Sequence, residues 1–181
     1  MRKLSVFLFT CLLSVLGYSQ VYLGKDGSTK FTSEAPLELI KAQSGKTNGV
    51  VDFGTKNVAF SVEVKTFNGF NSELQKEHFL ENYMESEKYP KATFKGKLID
   101  DVDLSKPGTY SVRSKGTFNI HGVEKEKIIK VKLVVKEGQV EAETEFEVPL
   151  GDHDIKVPKI VNQKIASVIM VQYKGVLKPK A

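Results

Sequence analysis

Cysteine and histidine are scarce in this 181-residue sequence, and tryptophan is absent. The single cysteine, Cys11, lies inside an apolar N-terminal run. Removal of that run would leave a chain with no disulfide, no thiolate nucleophile and no cysteine metal ligand. The roughly 160 residues that remain must fold on a hydrophobic core alone, and that length suits one domain.

The N-terminus has the pattern of a secretory signal peptide. Residues 1–19, MRKLSVFLFTCLLSVLGYS, join a short basic start to an apolar run and end in small residues. We predict cleavage before Gln20, which leaves a single domain over 20–181 that is exported to the periplasm or secreted. No later segment has the length and hydrophobicity of a membrane span.

Positive charge exceeds negative charge by a small margin. The chain has 27 Lys and Arg residues against 22 Asp and Glu residues. An exported chain of mixed charge is unlike a nucleic-acid-binding protein, so we expect no nucleic-acid partner. A monomer and a dimer are both compatible with this composition.

Alternation of apolar and polar residues with a period of two dominates the chain and predicts half-buried strands. In 108–120 one parity is apolar or small and the other is polar, and the same holds for 127–136 and for 140–150. Turn sequences at 25–27, 106–108, 121–126 and 136–138 separate the alternating segments and favour antiparallel hairpins. Roughly eight to ten strands in one domain predict an all-β closed barrel or a sandwich.

Two segments break the alternation. Residues 72–84 begin with Ser72 and Gln75 in the spacing of a capping box, which predicts a helix. The second segment starts at Pro158, and its apolar spacing predicts a short helix or helical turn that closes one end of the barrel.

Residues able to carry chemistry are few and scattered. Asp152, His153 and Asp154 are adjacent, and neighbouring residues of a strand point to opposite faces, so they are best interpreted as turn residues. His78, His121 and His153 have no metal-ligand spacing, and nucleophile motifs are absent. We therefore expect a protein that is not an enzyme and that has no metal or cofactor. An enzymatic role would require His78, His121 or His153 to lie within bonding reach of one another or of paired carboxylates.

The inward parity contains both large and small side chains. Phenylalanines and a tyrosine share that face with serine, glycine, alanine and threonine. Such a mixture fits a filled, tapering barrel and equally fits a barrel with an elongated cavity for one small ligand.

Several passages resemble the YceI-like family of exported polyisoprenoid-binding proteins. The passages are KEHFLENYMESEKYPKATFKGKL, GTYSVRSKGTFNIHGVEKE and VPLGDHDIKVP, and the resemblance runs from about Phe53 to the C-terminus. It implies an all-β, lipocalin-like antiparallel barrel of about eight strands with one or two short capping helices. It also implies a tunnel for an apolar lipid, a polyisoprenoid or an isoprenoid quinone.

Together with the inward parity, the resemblance implies a set of ligand-binding residues. The apolar tunnel would be lined by Phe31, Phe60, Leu74, Phe79, Phe94, Tyr110, Val112, Phe118, Val140, Phe146, Ile160 and Ile165. Polar residues at its mouth would be His78, Asn82, Lys156 and Lys159.

Two functions from different classes follow. The first is non-catalytic carriage or sequestration of the lipid inside the barrel. The second is a filled-barrel interaction or structural protein of the cell envelope, in which a basic strand face formed by Lys130, Lys132 and Lys136 contacts an acidic partner.

Overall fold

The chain forms a closed barrel of eight antiparallel strands connected in sequence order. The structure is a computed structural model that describes residues 21–180, so the predicted signal peptide lies outside the described residues. Strands β1 and β8 pair with each other, so every strand has two hydrogen-bonded neighbours. The fold class predicted from the sequence is confirmed. The strands are β1 (Val21–Glu34), β2 (Leu39–Asp52), β3 (Asn57–Glu63), β4 (Lys91–Leu98), β5 (Gly108–Ile120), β6 (Val123–Lys136), β7 (Gln139–Pro149) and β8 (Val168–Pro179).

The alternation seen in the sequence sets the two faces of the wall. In β5, Val112, Ser114 and Phe118 are buried, whereas Arg113 and Lys115 are exposed. Glu141, Glu143, Glu145 and Glu147 of β7 likewise lie on the outer face, half-buried or exposed. The same parity therefore separates the barrel interior from solvent.

The turn predicted at 121–126 is a two-residue hairpin loop, because Ile120 pairs with Val123. His121 and Gly122 both have positive φ, 54° and 74°, as a type I′ turn requires. The turn predicted at 136–138 also lies between paired strands, with Lys136 opposite Gln139.

The turn predicted at 25–27 is wrong. This KDG sequence lies inside β1, where the register shifts on both sides of Gly27 and Asp26 takes a φ of 53°. A bulge can use the same glycine and positive-φ residue as a hairpin, so composition alone does not distinguish them. The connection between β2 and β3 comes later, where the Asp52 carboxylate accepts hydrogen bonds from the backbone N–H groups of Gly54 and Thr55 at 2.9 and 3.1 Å.

Short helices gather at one end of the barrel, which we call the helical end. Helix α1 (Glu73–His78) continues into a π-helical turn, Phe79–Tyr83, and 3₁₀ turns cover Val64–Thr66, Leu150–His153 and Lys159–Val161. The Ser72 hydroxyl accepts a hydrogen bond from the Gln75 N–H at 3.1 Å, which confirms the predicted N-cap. The Gln75 side chain reaches one residue further than in a capping box and accepts from the Asn71 N–H at 3.1 Å.

The opposite end, which we call the far end, is closed by packed side chains. Tyr22 and Phe53 meet edge to face with ring centroids 5.3 Å apart. The Tyr110 hydroxyl donates to the carbonyl of Lys106 at 2.9 Å and holds the 99–107 loop against the barrel. Val102 and Leu104 from that loop pack on the same core.

A glycine pair lets β4 and β5 approach closely. Gly96 and Gly116 lie directly opposite each other, and a Cβ on Gly116 would stand 2.2 Å from the Lys95 carbonyl oxygen. We expect Gly116→Ala to lower the free energy of unfolding by about 1–3 kcal/mol, because the obstacle is backbone and cannot rotate away. Urea denaturation measures this change.

The matched control for this prediction is Gly45→Ala. Gly45 is exposed in β2, and no atom would lie within 4 Å of an added Cβ. Equal stability of the two alanine variants would show that the strands can separate without cost at Gly116.

Candidate ligand-binding site

The barrel encloses a cavity of about 550 Å³ that runs along its interior. This volume lies within the range of about 300–1,000 Å³ that is common for small-molecule sites. Phe53, Leu98 and Leu177 bound it near the far end, whereas Leu74, Phe79 and Ile165 bound it at the helical end. The interior is therefore hollow, which decides between the filled and hollow barrels that the sequence left open.

The cavity wall is apolar over most of its length. Charged lining residues are confined to the helical end, where Glu38 and Lys164 border the opening. The polar groups deeper inside are hydroxyls, and several already have partners. Thr29 and Thr47 bond each other at 2.6 Å, and the Ser114 hydroxyl donates to the carbonyl of Lys97 at 3.1 Å.

Four phenylalanines form an aromatic cluster at the helical end of the cavity. Phe31 stacks on Phe79 with ring centroids 5.2 Å apart, and Phe70 lies 5.0 Å from Phe79. Phe67 contacts both Phe31 and Phe79 at 5.5 and 6.0 Å. Apart from Phe67, these rings remain partly accessible although they point inward, because they face the cavity rather than a filled core.

The cavity opens between α1, the β1–β2 turn and the segment 159–165. Leu74 and Lys164 line the cavity and are exposed to solvent, so they mark the mouth. Gln75 donates a hydrogen bond to Glu38 at 2.9 Å across this opening. Among residues 21–180 no carboxylate pairs with Lys164, which leaves a cation at the mouth.

Most of the residues expected to bind a ligand lie on this cavity. Those on the wall or at the mouth are Phe31, Phe60, Leu74, His78, Phe79, Phe94, Phe118, Phe146 and Ile165. Whether they contact a ligand stays a prediction.

Seven expected residues lie away from the cavity wall. Tyr110, Val112 and Val140 belong to the packed core, and Tyr110 also anchors the far-end loop. Ile160 is 91% exposed on the outside of the Lys159–Val161 turn, whose Val161 faces the cavity instead. Asn82, Lys156 and Lys159 are exposed and do not line the cavity.

Sequence reasoning missed several lining residues. Tyr173 lies on the inward parity of β8 with Ile169, Val171 and Leu177, so alternation within VIMVQYKGVL would have found it. Thr29 shares the inward parity of Phe31, so alternation would have found it too, whereas Thr47 follows a register shift in β2 that moves the inward parity from even to odd positions. The Lys164 side chain had no signal in the sequence that distinguished it from the neighbouring lysines.

The three histidines do not form a single centre. The His121 ring lies 3.0 Å from the carbonyl oxygen of His153 through Nδ1 and 3.1 Å from Glu85 through Nε2. The ring of His153 bonds the carbonyl of Val123, while His78 is exposed at the mouth. Within residues 21–180 no group of three or more metal-ligating side chains could hold a metal ion.

The lysines on the outer face of β6 are partly neutralised by the glutamates of β7. Lys136 bonds Glu141 at 2.6 Å, and Lys132 lies 3.9 Å from Glu143. Lys174 of β8 binds the same Glu143 at 2.6 Å. This face therefore mixes both signs of charge and offers no continuous basic surface.

The fold and its site define a small β-barrel with a deep apolar cavity that opens at one capped end. The family description that matches this sequence is the YceI-like domain, over residues 26–177. The chain belongs to the YceI-like family. No curated protein matches the sequence, and no described helix is long and apolar enough to cross a membrane.

Solved structures of similar fold cover most of the chain at low sequence identity. A polyisoprenoid-binding domain from Saccharophagus degradans has a TM-score of 0.74 at 12% identity, covering 90% of this chain and 99% of that one. BcnA of Burkholderia cenocepacia gives 0.66 at 9% identity, with 83% and 95% covered. The YCEI protein of Campylobacter jejuni gives 0.61 at 16% identity, with 77% and 85% covered. At these identities the likeness shows a shared fold.

Buried His153 generates a prediction about pH. The residue is 2% exposed, its Nδ1–H donates to the Val123 carbonyl at 3.2 Å, and its ring packs edge to face on Phe118. Burial lowers the pKa of His153 below its ordinary value, and the charges of Lys125 and Lys127 lower it further. The unfolded chain therefore takes up the proton first as pH falls below about 6.5.

We expect the free energy of unfolding to fall between pH 7.5 and pH 5, and to fall less in His153→Gln. Urea denaturation at several pH values measures how the free energy of unfolding changes with pH in the parent and in His153→Gln. His78→Gln is the control, because it keeps His153 and should keep the parent slope. Parallel curves for the parent and His153→Gln would contradict this role for His153.

Proposed function

We propose that this chain is a non-catalytic protein that carries or sequesters an apolar lipid, a polyisoprenoid or an isoprenoid quinone, inside its barrel. The observation that carries the proposal is the apolar cavity of about 550 Å³, in which the charged lining residues among 21–180, Glu38 and Lys164, lie at the mouth. Each CH₂ group of a lipid moved into such an interior contributes about 0.8 kcal/mol. A buried charged group would be strongly disfavoured there.

The similar structures support the same class of ligand. The domain from Saccharophagus degradans that shares this fold is described as polyisoprenoid-binding. An elongated chain without charge is the ligand that matches a narrow apolar barrel. A phosphate or quinone head left at the mouth would meet His78 and Lys164, which are exposed there.

The helical end is where the lipid would enter and leave. Among the described residues, the mouth is bordered by short helical segments, by the β1–β2 turn and by the aromatic cluster of Phe31, Phe67, Phe70 and Phe79. Movement of residues 72–84 or of 151–165 would admit the lipid without separating any paired strands.

The signal-peptide pattern of residues 1–19 is consistent with a carrier that is exported. We propose that residues 1–19 direct export and are removed before Gln20, so that the barrel works outside the cytoplasm. Native mass spectrometry of the protein purified from its own host tests both ideas, since the mass reports the cleavage position and any bound molecule. Solvent extraction then identifies the ligand.

A stoichiometric polyisoprenoid or quinone in that preparation is the expected result. Protein that carries no lipid and that also fails to bind added polyisoprenoids would overturn the carrier function. An intact N-terminus on the purified protein would overturn the export proposal alone.

Ala92→Trp tests the cavity directly, because Ala92 lines it beside the aromatic cluster. An indole at this position would fill part of the cavity, and we expect lipid affinity to fall by about tenfold or more. The chain has no tryptophan of its own, so the fluorescence of the new side chain also reports whether it is buried.

Lys95→Trp is the matched control, since Lys95 is exposed on the same strand. It should bind lipid like the parent. Unchanged affinity in a folded Ala92→Trp protein with buried, blue-shifted emission would place the ligand outside the barrel.

A further inference from the structure

The Lys159–Val161 turn presents an aliphatic side chain to solvent at the helical end. Val161 faces the cavity, so Ile160 lies on the outside of the turn, where it is 91% exposed. Leu37 of the β1–β2 turn is 66% exposed, and its N–H donates to the Gln163 carbonyl at 2.9 Å. This hydrogen bond joins the two turns beside the mouth, so their apolar side chains project from the same end of the barrel.

Lysines accompany these apolar side chains without a counter-charge. Lys156, Lys159 and Lys164 are exposed, and within residues 21–180 none of them pairs with a carboxylate. The sequence from Ile155 to Val168 contains these three lysines and no Asp or Glu. This segment therefore differs from the outer face of β6 and β7, where lysines and glutamates neutralise one another.

Acidic side chains elsewhere at the helical end restrict how it can face a charged surface. Glu73 and Glu77 are exposed on α1, across the mouth from the lysines, and Asp152 and Asp154 precede the basic segment. A negatively charged surface would repel α1 and attract the segment 156–164. Such a surface would therefore be met by that segment and the β1–β2 turn, with α1 tilted away.

A lipid bilayer with anionic headgroups fits this combination of residues. Proteins that lie at a membrane interface place aliphatic side chains at the boundary between headgroups and acyl chains, and lysines beside them attract anionic lipids. The apolar stem of a lysine can remain near this boundary while its ammonium group stays among the headgroups. Unpaired lysines beside Ile160 thus favour an anionic bilayer over an apolar protein surface.

We propose that the helical end docks on an anionic lipid bilayer through a docking patch formed by Leu37, Ile160, Lys156, Lys159 and Lys164. The two apolar side chains enter the headgroup region, and the lysines contact lipid phosphates. Docking does not depend on what the cavity holds. One consequence rests on the proposed function: with its mouth against the bilayer, the barrel could exchange an apolar ligand with the membrane without exposing it to water.

The first test is co-sedimentation of the protein purified from its host with vesicles that contain no polyisoprenoid. We expect binding to vesicles of phosphatidylcholine and phosphatidylglycerol at low salt. Binding should be about tenfold or more weaker to phosphatidylcholine alone, and it should weaken at high salt because salt screens the lysines.

The double variant Lys156→Gln, Lys159→Gln tests the charges of the patch. We expect its affinity for the anionic vesicles to fall by about 20-fold, since each lysine near such a surface contributes about fivefold. Lys178→Gln with Lys180→Gln is the matched control, because it removes the same charge from the far end, where Pro179 pairs with Tyr22. The control should bind like the parent.

Ile160→Ser tests the apolar contact, and we expect it to weaken binding by about tenfold. The matched control is Ile128→Ser, because Ile128 is 57% exposed but lies on the outer face of β6. Ile160→Trp reports the orientation. Its emission should shift to the blue on anionic vesicles, whereas that of Ile128→Trp should not change.

The outcomes separate docking from the proposed function. Equal affinity for the two kinds of vesicle would overturn the proposal, and so would equal loss of binding in the two double variants. Unchanged emission of Ile160→Trp on vesicles that it binds would also overturn it. Failure to bind anionic vesicles, with a dimer in solution that Ile160→Ser dissociates, would replace the bilayer by a second copy of the chain. None of these results bears on lipid bound in the cavity, which solvent extraction tests.

Discussion

Pairing of β1 with β8 is the interaction on which the rest of the structure depends. It runs from Tyr22 opposite Pro179 to Thr32 opposite Met170 and closes the sheet on itself. Once closed, the wall satisfies its own backbone hydrogen bonds and has no exposed strand edge. The closed sheet can therefore remain stable around a hollow interior, because its backbone hydrogen bonds do not depend on side chains that pack across the centre of the barrel.

Residue size on the inner face decides how much space remains. An eight-stranded barrel is just wide enough for side chains to fill it or to hold one small ligand. Here Ala142, Ser61 and Thr144 take inward positions where larger residues would close the lumen, and Phe60 and Tyr173 lie flat over glycines of neighbouring strands. Side chains that border empty space lose contacts on one side, so a ligand that restores those contacts also stabilises the fold.

The second half of the barrel was predictable from the sequence because its strands are regular. In β5, β6 and β7 unbroken alternation and short glycine turns give both the strands and their inward faces. β1 and β2 were harder, since the bulge at Asp26 and Gly27 looks like a turn and changes which residues face inward. Ile160 was predicted to line the cavity but lies in a turn of three residues. In so short an element the spacing of apolar residues does not indicate which side faces the barrel.

The two ends of the barrel differ in how they are held, and this difference bears on where we expect a ligand to enter. At the far end, the Arg113 guanidinium binds both Asp100 oxygens, at 2.7 and 3.1 Å, and the loop packs on the barrel core. At the mouth, the β1–β2 turn meets the 159–165 segment through a backbone hydrogen bond from Leu37 to Gln163 at 2.9 Å. Breaking such a bond exposes polar groups that water can satisfy, whereas opening the far end would expose apolar core. Met84 and Ile155 are buried in an apolar cluster that holds the rest of the helical end, so we expect a ligand to pass where the 159–165 segment meets the β1–β2 turn.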